Sequence, residues 1–474
     1  MATFANGGLK PPVAQREVVA STHHGQRRDD PYAWLRDPQW RDAMANPERL
    51  AKPIKAYLEA ENAYADARMA PLESLREQLV GELRGRIRED DQSVPTADGP
   101  WCYYTRFREG GQHALLCRRP RSGGDEQLML DGDAESEGAD YFRLGGAAHS
   151  PDHAYLAYAV DYSGAESLSL RIRRLADGVD LDTHIEAVRG DLAWRADGQG
   201  FIYTVLDDEL RPRWVYWHSL GQDPRDDRLV YEETDPGFFL GVETTESGRY
   251  LLIVSHDHTT SEVRWLPADQ PDAEPRVIAP RQRDVEYSVS DHGDQWLILT
   301  NAGGAEDFAI CQTPIDSHSP APIQDWQVLI AERPWRLIEG MQVFARWLVR
   351  QELEDAESRL VVRDLRAGTE TIIDQPDLCV EVGIIPGLEY DTDSLRFGLS
   401  GLTLPAQIFD YDMASGERTR RKTQTIPSVH DPAAYITQRL MALADDGESV
   451  PISLFYHRDT PLGADTPLLL YGYG

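Results

Sequence analysis

Cysteine is scarce in this chain, and its four residues, Cys102, Cys117, Cys311 and Cys379, have no C-x-x-C spacing. A disulfide framework or a zinc knuckle is therefore excluded as the basis of the fold. The four read as free thiols in a reducing compartment, although Cys102 and Cys117 fall where neighbouring strands could face them. Long apolar runs are also missing, and the opening "MATFANGGLKPPVAQREVVA" has no apolar core of the secretory kind. The expectation is a soluble, cytoplasmic protein with no membrane partner. Basic residues are outnumbered 48 to 80, for a formal net charge of −32. A surface so negative repels phosphate backbones, which excludes nucleic acid as a partner, and the same field would attract a cationic peptide.

Several chemical signatures are absent too. Neither a P-loop nor a dinucleotide fingerprint occurs, so no cofactor is expected. The histidine groups "HH" (His23, His24) and "HDH" (His256 to His258) lack further ligands at a recognised spacing, so no metal is expected. No G-x-S-x-G elbow presents a serine nucleophile: "GLSGL" from Gly398 lies in a strand pattern and "GESVP" from Gly447 in a hairpin turn.

What is present divides the chain by texture. From Pro53 to Asp90 apolar residues recur at helical spacing, with Pro71 splitting the run into two helices. Ahead of them "DDPYAWLRDP" carries Tyr32, Trp34 and Leu35, which would pin an extended arm by its aromatic side chains. After about residue 92 the pattern becomes short apolar strands separated by Gly, Asp, Ser and Pro. A polar turn followed by an aromatic-rich strand recurs seven times, opening at Asp98, Asp152, Asp197, Ser247, Gly293, Gln342 and Asp393. The starts are spaced by roughly 45 to 55 residues, the length of a four-stranded propeller blade. A second strand follows each, and Gly turns as in "LADG", "LRAG" and "MASG" complete the hairpin chemistry. One such sheet has two apolar faces and is unstable alone, so seven stacked about an axis bury one another.

From Asp431 the repeat stops. "AYITQRLMALADDGESVPISLFYHR" reads as two strands joined by a turn, and "PLLLYGYG" as a buried parallel-type strand opening into a glycine loop. In "VDYSGAES", Asp161 and Glu166 flank a tight turn. They are candidate contacts for a cationic group or another domain, with turn capping as the structural alternative.

"DDPYAWLRD", the seven-fold repeat, "VPISLFYH" and "PLLLYGYG", in that order, resemble the prolyl oligopeptidase family of serine peptidases. The stretches "RLVYEETD", "TTSEVRWL", "DVEYSV" and "FDYDMASGER" bring the likeness closest to oligopeptidase B. The resemblance implies a mainly β fold: a seven-bladed β-propeller (92–430) with an N-terminal arm and helices (1–91) and the first strands of an incomplete α/β-hydrolase domain (431–474). It further implies hydrolysis of short peptides, with a preference for Arg or Lys, behind a propeller that limits access. The triad serine, aspartate and histidine of the family would fall beyond residue 474, so this chain alone is expected to be an inactive fragment whose missing hydrolase domain is an intramolecular partner. Tyr473 matches the tyrosine that donates to the oxyanion hole in the family's YGYG motif. The alternative is a non-catalytic propeller that serves as a peptide-binding or interaction module.

Overall fold

The computed structural model describes residues 9–270, 272–315, 320–375, 379–428 and 430–472. The chain divides into two compact units, Met1–Ile87 and Arg88–Gly474. In the first unit, strands Val19–His23 and Gln26–Asp30 form a hairpin whose turn residues His24 and Gly25 both have positive φ, the twist that a two-residue hairpin loop requires. The helices Lys52–Met69 and Glu73–Arg84 are separated by a single 3-10 turn, Ala70–Leu72, centred on Pro71, which cannot donate to a continuing helical ladder. Trp34 anchors the preceding arm by donating from Nε1 to the Gln15 carbonyl at 2.7 Å, and its ring meets the Tyr57 ring edge-on.

The second unit is a β-propeller built from antiparallel sheets. Among the described residues five four-stranded sheets stand separately, at 96–131, 239–277, 287–330, 336–372 and 380–423. The eight strands at 143–232 form one continuous sheet. This corrects the expectation of seven separate blades, and the cause lies in one long strand, Ile185–Trp194. Its first half pairs with Leu170 and Leu168, and its second half pairs with Tyr203 to Phe201. Val188 is paired on both sides, with Leu168 and with Val205, and the register then shifts before Leu192 around Gly190, whose φ of 112° suits only glycine. A Cβ on Gly146 would lie 2.6 Å from the Gly190 carbonyl oxygen, so the close approach requires glycine there as well. The chain thus leaves one set of four strands and starts the next without a loop. All seven of the turn-and-strand repeats nevertheless lie in β-strands.

Near-continuous burial along the inner strands, as in Tyr155–Asp161, Gly200–Leu206 and Gln295–Thr300, gives each sheet two faces to cover, and clusters of buried side chains fill the spaces between sheets. Trp265 and Trp296 meet edge-to-face at 5.7 Å between one adjacent pair, and Phe397 and Phe409 stack at 5.3 Å in the last sheet, against Val349 and Leu360 of the sheet before it. Each such side chain contributes about 1.5–3 kcal/mol through burial. Cys102 and Cys117 do lie on paired strands, but Cys102 is opposite Arg119 and Cys117 opposite Tyr104. Both remain free, and burial pushes the Cys117 thiol up to about 11.

The ring closes without exchanging a strand, since the first and last sheets are each made of consecutive strands. Side chains make the closure. Arg396 of the last sheet donates to the carbonyls of Val94 and Pro95 and to Thr96 Oγ1, and holds Asp410 at 2.7 Å with the other arm of its guanidinium. Lys422 reaches Asp91 at 2.6 Å and also the Gln92 carbonyl.

Beyond the last sheet, Tyr435–Leu443 and Ser449–His457 form an antiparallel hairpin. Among the described residues the expected third strand is not there, and no α/β-hydrolase domain is evident. Residues 467–472 have no strand structure, and Leu468, Leu469 and Leu470 are exposed. A parallel strand exists only through hydrogen bonds to neighbours. Among the described residues none pairs with this segment.

Candidate functional site

The strands that open the sheets surround a central cavity of about 1390 Å³, with lining residues drawn from the opening strands at 96–98, 143–149, 185–194, 239–244, 336–343 and 380–384. Its polar lining is one-sided. Asp98, Glu246, Glu339, Glu389 and Asp391 contribute carboxylates, and no Lys or Arg occurs among its described lining residues. Three of the five have partners: Asp98 bonds His149, Glu389 pairs with Arg121, and Glu339 accepts from the Gln351 amide at 3.0 Å. Glu246 follows the strand Phe239–Thr244, and its Oε1 accepts from Ser290 Oγ at 3.0 Å and from the Val343 backbone N–H at 3.4 Å. No described residue neutralises its charge. Enclosure by the cavity walls pushes the Glu246 carboxyl above its ordinary value, with the nearby Asp291 charge adding to the effect against those hydrogen bonds.

Next to Val343, the Gln342 side chain is 7% exposed and its Oε1 accepts no hydrogen bond from a described residue. Tyr390 also lines the cavity. Its hydroxyl is pushed up by burial and by the surrounding negative charges of Asp291, Glu246 and Asp391, against the opposing pull of Arg249.

A raised carboxyl makes a signed prediction about stability. The folded-state value for Glu246 lies above 4.5, the ordinary one, so ionisation costs folding free energy. The cost is absent below the unfolded value and grows as pH rises through the folded one. Glu246→Gln is expected to melt at a higher temperature than the wild type at pH 8, and the difference should disappear at pH 4. A thermal melt at the two pH values checks this; an equal gain at both would assign it to packing.

A second grouping sits on the same wall. The Tyr103 ring stacks on His149 at 3.8 Å, and its hydroxyl meets His153 Nδ1 at 2.8 Å. Asp98 meets His149 Nε2 at 2.7 Å, and donor atoms of Asp98, His149 and His153 all lie within 4.8 Å of one another. The two imidazole planes are only 19° apart with centroids separated by 5.6 Å, and each ring already has a hydrogen-bond partner. That arrangement suits proton sharing better than the convergence of lone pairs on one ion. Burial pushes His153 below the ordinary imidazole range, and the Asp98 charge opposes it. The sequence pattern did not indicate this group because its members are contiguous only in space.

The residues singled out from the sequence fall elsewhere. Asp161 is 1% exposed and caps its own turn, accepting from Ser163 N and Oγ, Gly164 N and Glu166 N at 2.8–3.0 Å. Burial opposes its charge, but these donors together hold the carboxyl below the usual range. Glu166 joins it through the backbone alone, while its side chain lines a second cavity of about 880 Å³ that also contains Arg143 and Arg189. His24 is a turn residue of the N-terminal hairpin. Between His256 and His258, Asp257 caps a turn by accepting from Thr259 and Thr260. Tyr473 lies outside the described residues.

Comparison with known proteins places this architecture. Residues 11–424 match the prolyl oligopeptidase N-terminal β-propeller domain, and the chain belongs to the prolyl oligopeptidase family. It is 35% identical to dipeptidyl aminopeptidase BI of Pseudoxanthomonas mexicana over 490 residues, covering 99% of this chain and 66% of that protein. Protease 2 of Moraxella lacunata is 27% identical, with 98% of this chain and 66% of the relative covered. Among solved structures, oligopeptidase B from Leishmania major superposes with a TM-score of 0.87 at 25% identity over 95% of this chain and 66% of that one. Oligopeptidase B from Trypanosoma brucei, in a closed form with covalently bound antipain, gives 0.86 at 28% identity, covering 96% of this chain and 66% of that one. The chain therefore spans about two thirds of the length of these relatives.

Proposed function

We propose that this chain is the propeller portion of an oligopeptidase B-like serine peptidase, which hydrolyses short peptides after Arg or Lys by acyl transfer through a serine. The propeller restricts access to the site, and the serine, aspartate and histidine belong to a hydrolase domain outside these 474 residues. The family match over 11–424 carries the reading. Two further observations support it: the relatives are about half as long again, and the chain enters the ring at Asp91 beside the place where it leaves at Lys422. Ends held together in this way suit a domain inserted between two parts of another, with 1–91 and 431–474 contributing to the hydrolase side. On this reading the propeller runs over 92–430, and its eight-stranded sheet counts as two blades fused at Gly190, which restores the seven-fold period. The free cysteines fit a cytoplasmic setting.

Residues 1–474 alone are expected to hydrolyse no arginyl peptide and to take no label from a serine-directed phosphonate. A longer protein that adds G-x-S-x-G, then Asp, then His, is expected to do both. A labelled serine within residues 1–474, located by peptide mass spectrometry, would overturn the assignment.

A further inference from the structure

The second cavity, of about 880 Å³, carries charge that the peptidase reading leaves unused. In a chain with 80 acidic residues against 48 basic ones, an arginine without a carboxylate partner is unexpected, yet this cavity holds two. Arg143 has no hydrogen bond or ion pair with any described residue. Its cross-strand neighbour is Asp161, whose carboxylate is taken up by the donors of its own turn. Arg189 donates from Nη1 to the Leu240 carbonyl at 3.1 Å, which steadies the guanidinium from the adjacent sheet and leaves its charge uncompensated. The two arginines stand on the strands Arg143–His149 and Ile185–Trp194, which approach closely where Gly146 faces the Gly190 carbonyl.

Glu166 and Glu243 line the same cavity and pair with no described cation, so charges of both signs are kept apart rather than neutralised. Burial alone pushes the Glu243 carboxyl above its ordinary value, as expected of one with no donor or cation beside it. Glu166 has a φ of 61°, as does Leu210 on the cavity wall, a conformation that non-glycine residues adopt at a cost and keep only where their surroundings impose it. A lining of both signs selects among anions. A phosphate group brings about two negative charges toward both glutamates, whereas a carboxylate brings one and matches the guanidinium fork with its two oxygens. Leu210, Pro212 and Phe239 give an apolar surface for the chain that carries it. A peptide with a free C-terminus has both parts.

We propose that this cavity binds the free C-terminal carboxylate of a short peptide, with Arg143 and Arg189 as the donors and the apolar wall against the last side chains. The ligand is recognised by its end group, and no basic side chain is required of it. Arg143 and Phe239 are the first residues of their strands, so the cavity sits at the end of the sheets where those strands begin. The chain enters the ring at the same end, with Asp91 ahead of Thr96–Asp98. On the peptidase reading that end faces the hydrolase domain, and an anchored terminus there would limit how far from it a peptide can be cut. That use rests on the peptidase reading, but the binding does not. Failure of the cavity to bind leaves the peptidase reading standing, and failure of hydrolysis in the longer protein leaves the cavity standing.

The test is calorimetric binding of acetyl-alanyl-phenylalanine to the 474-residue protein at low ionic strength, with acetyl-alanyl-phenylalanine amide as the uncharged counterpart. The acid is expected to bind at least about tenfold more tightly than the amide, and added salt should weaken it. Arg143→Gln and Arg189→Gln should each weaken the acid by roughly tenfold and leave the amide unchanged, a selectivity that impaired folding does not produce. Arg143 is exposed and has no described partner to lose, so its variant keeps the test valid even where the Arg189 substitution impairs folding. Equal binding of the two probes, or an affinity for the acid unchanged in both arginine variants, overturns the proposal. Displacement of the acid by inorganic phosphate at equal concentration would also overturn it, assigning the arginines to a phosphate group.

Discussion

Replacing Arg396 with alanine is expected to destabilise the propeller by about 3–5 kcal/mol, the cost typical of removing one member of a buried, hydrogen-bonded ion pair. The side chain is 13% exposed and binds two sheets at once. One arm of the guanidinium bonds Asp410 within the last sheet, and the other bonds the carbonyls of Val94 and Pro95 and Thr96 Oγ1 at the start of the first. Without it those acceptors lose a shared donor, and among the described residues Asp410 keeps only Arg421. The effect should exceed that of an ordinary surface ion pair because, among the described residues, no backbone ladder crosses this seam. Arg396→Lys should rescue little, since an ammonium is a point charge and cannot span both sets of acceptors. Thermal melting of the wild type and both variants provides the measurement. A lysine variant as stable as the wild type would show that charge, rather than the fork, closes the ring.

The second large effect concerns Tyr473 in the longer protein. If its hydroxyl donates to the developing oxyanion, as the family likeness implies, Tyr473→Phe should lower kcat by about 10²–10³ while leaving KM nearly unchanged. That division follows from an interaction made in the transition state and absent from the bound substrate. Steady-state kinetics on an arginyl chromogenic peptide separates the two constants. A raised KM with kcat intact would instead make Tyr473 a substrate-binding residue.

How much of this was legible in the sequence depended on how local each feature is. The seven aromatic strands could be found because a polar turn followed by a short apolar run is encoded within about ten residues, and all seven lie in strands of the structure. The fusion at 143–232 was not legible, because it depends on which partner strand Ile185–Trp194 chooses and on Gly146 meeting Gly190 across the sheet. The reading of "PLLLYGYG" as a strand failed for a related reason. Apolar composition suits a buried strand, but pairing requires neighbours that the segment itself does not specify. For Asp161 the pattern allowed two roles, and four donors to one carboxylate favour the capping one. Of the cavity residues, Gln342 lies in one sheet while Glu246 and Tyr390 lie in strand connections of two others, so only closure of the ring assembles them.

The same closure bears on the order of events during synthesis. Each four-stranded sheet is made of consecutive residues, so it can form as soon as its own segment has left the ribosome, one after another from the N-terminal side. The seam cannot form until Arg396 and Lys422 have emerged, more than three hundred residues after Asp91 and Val94. Until then the first sheet presents one face with no neighbour to cover it. A nascent chain stalled before Lys422 should therefore be the species most in need of a chaperone.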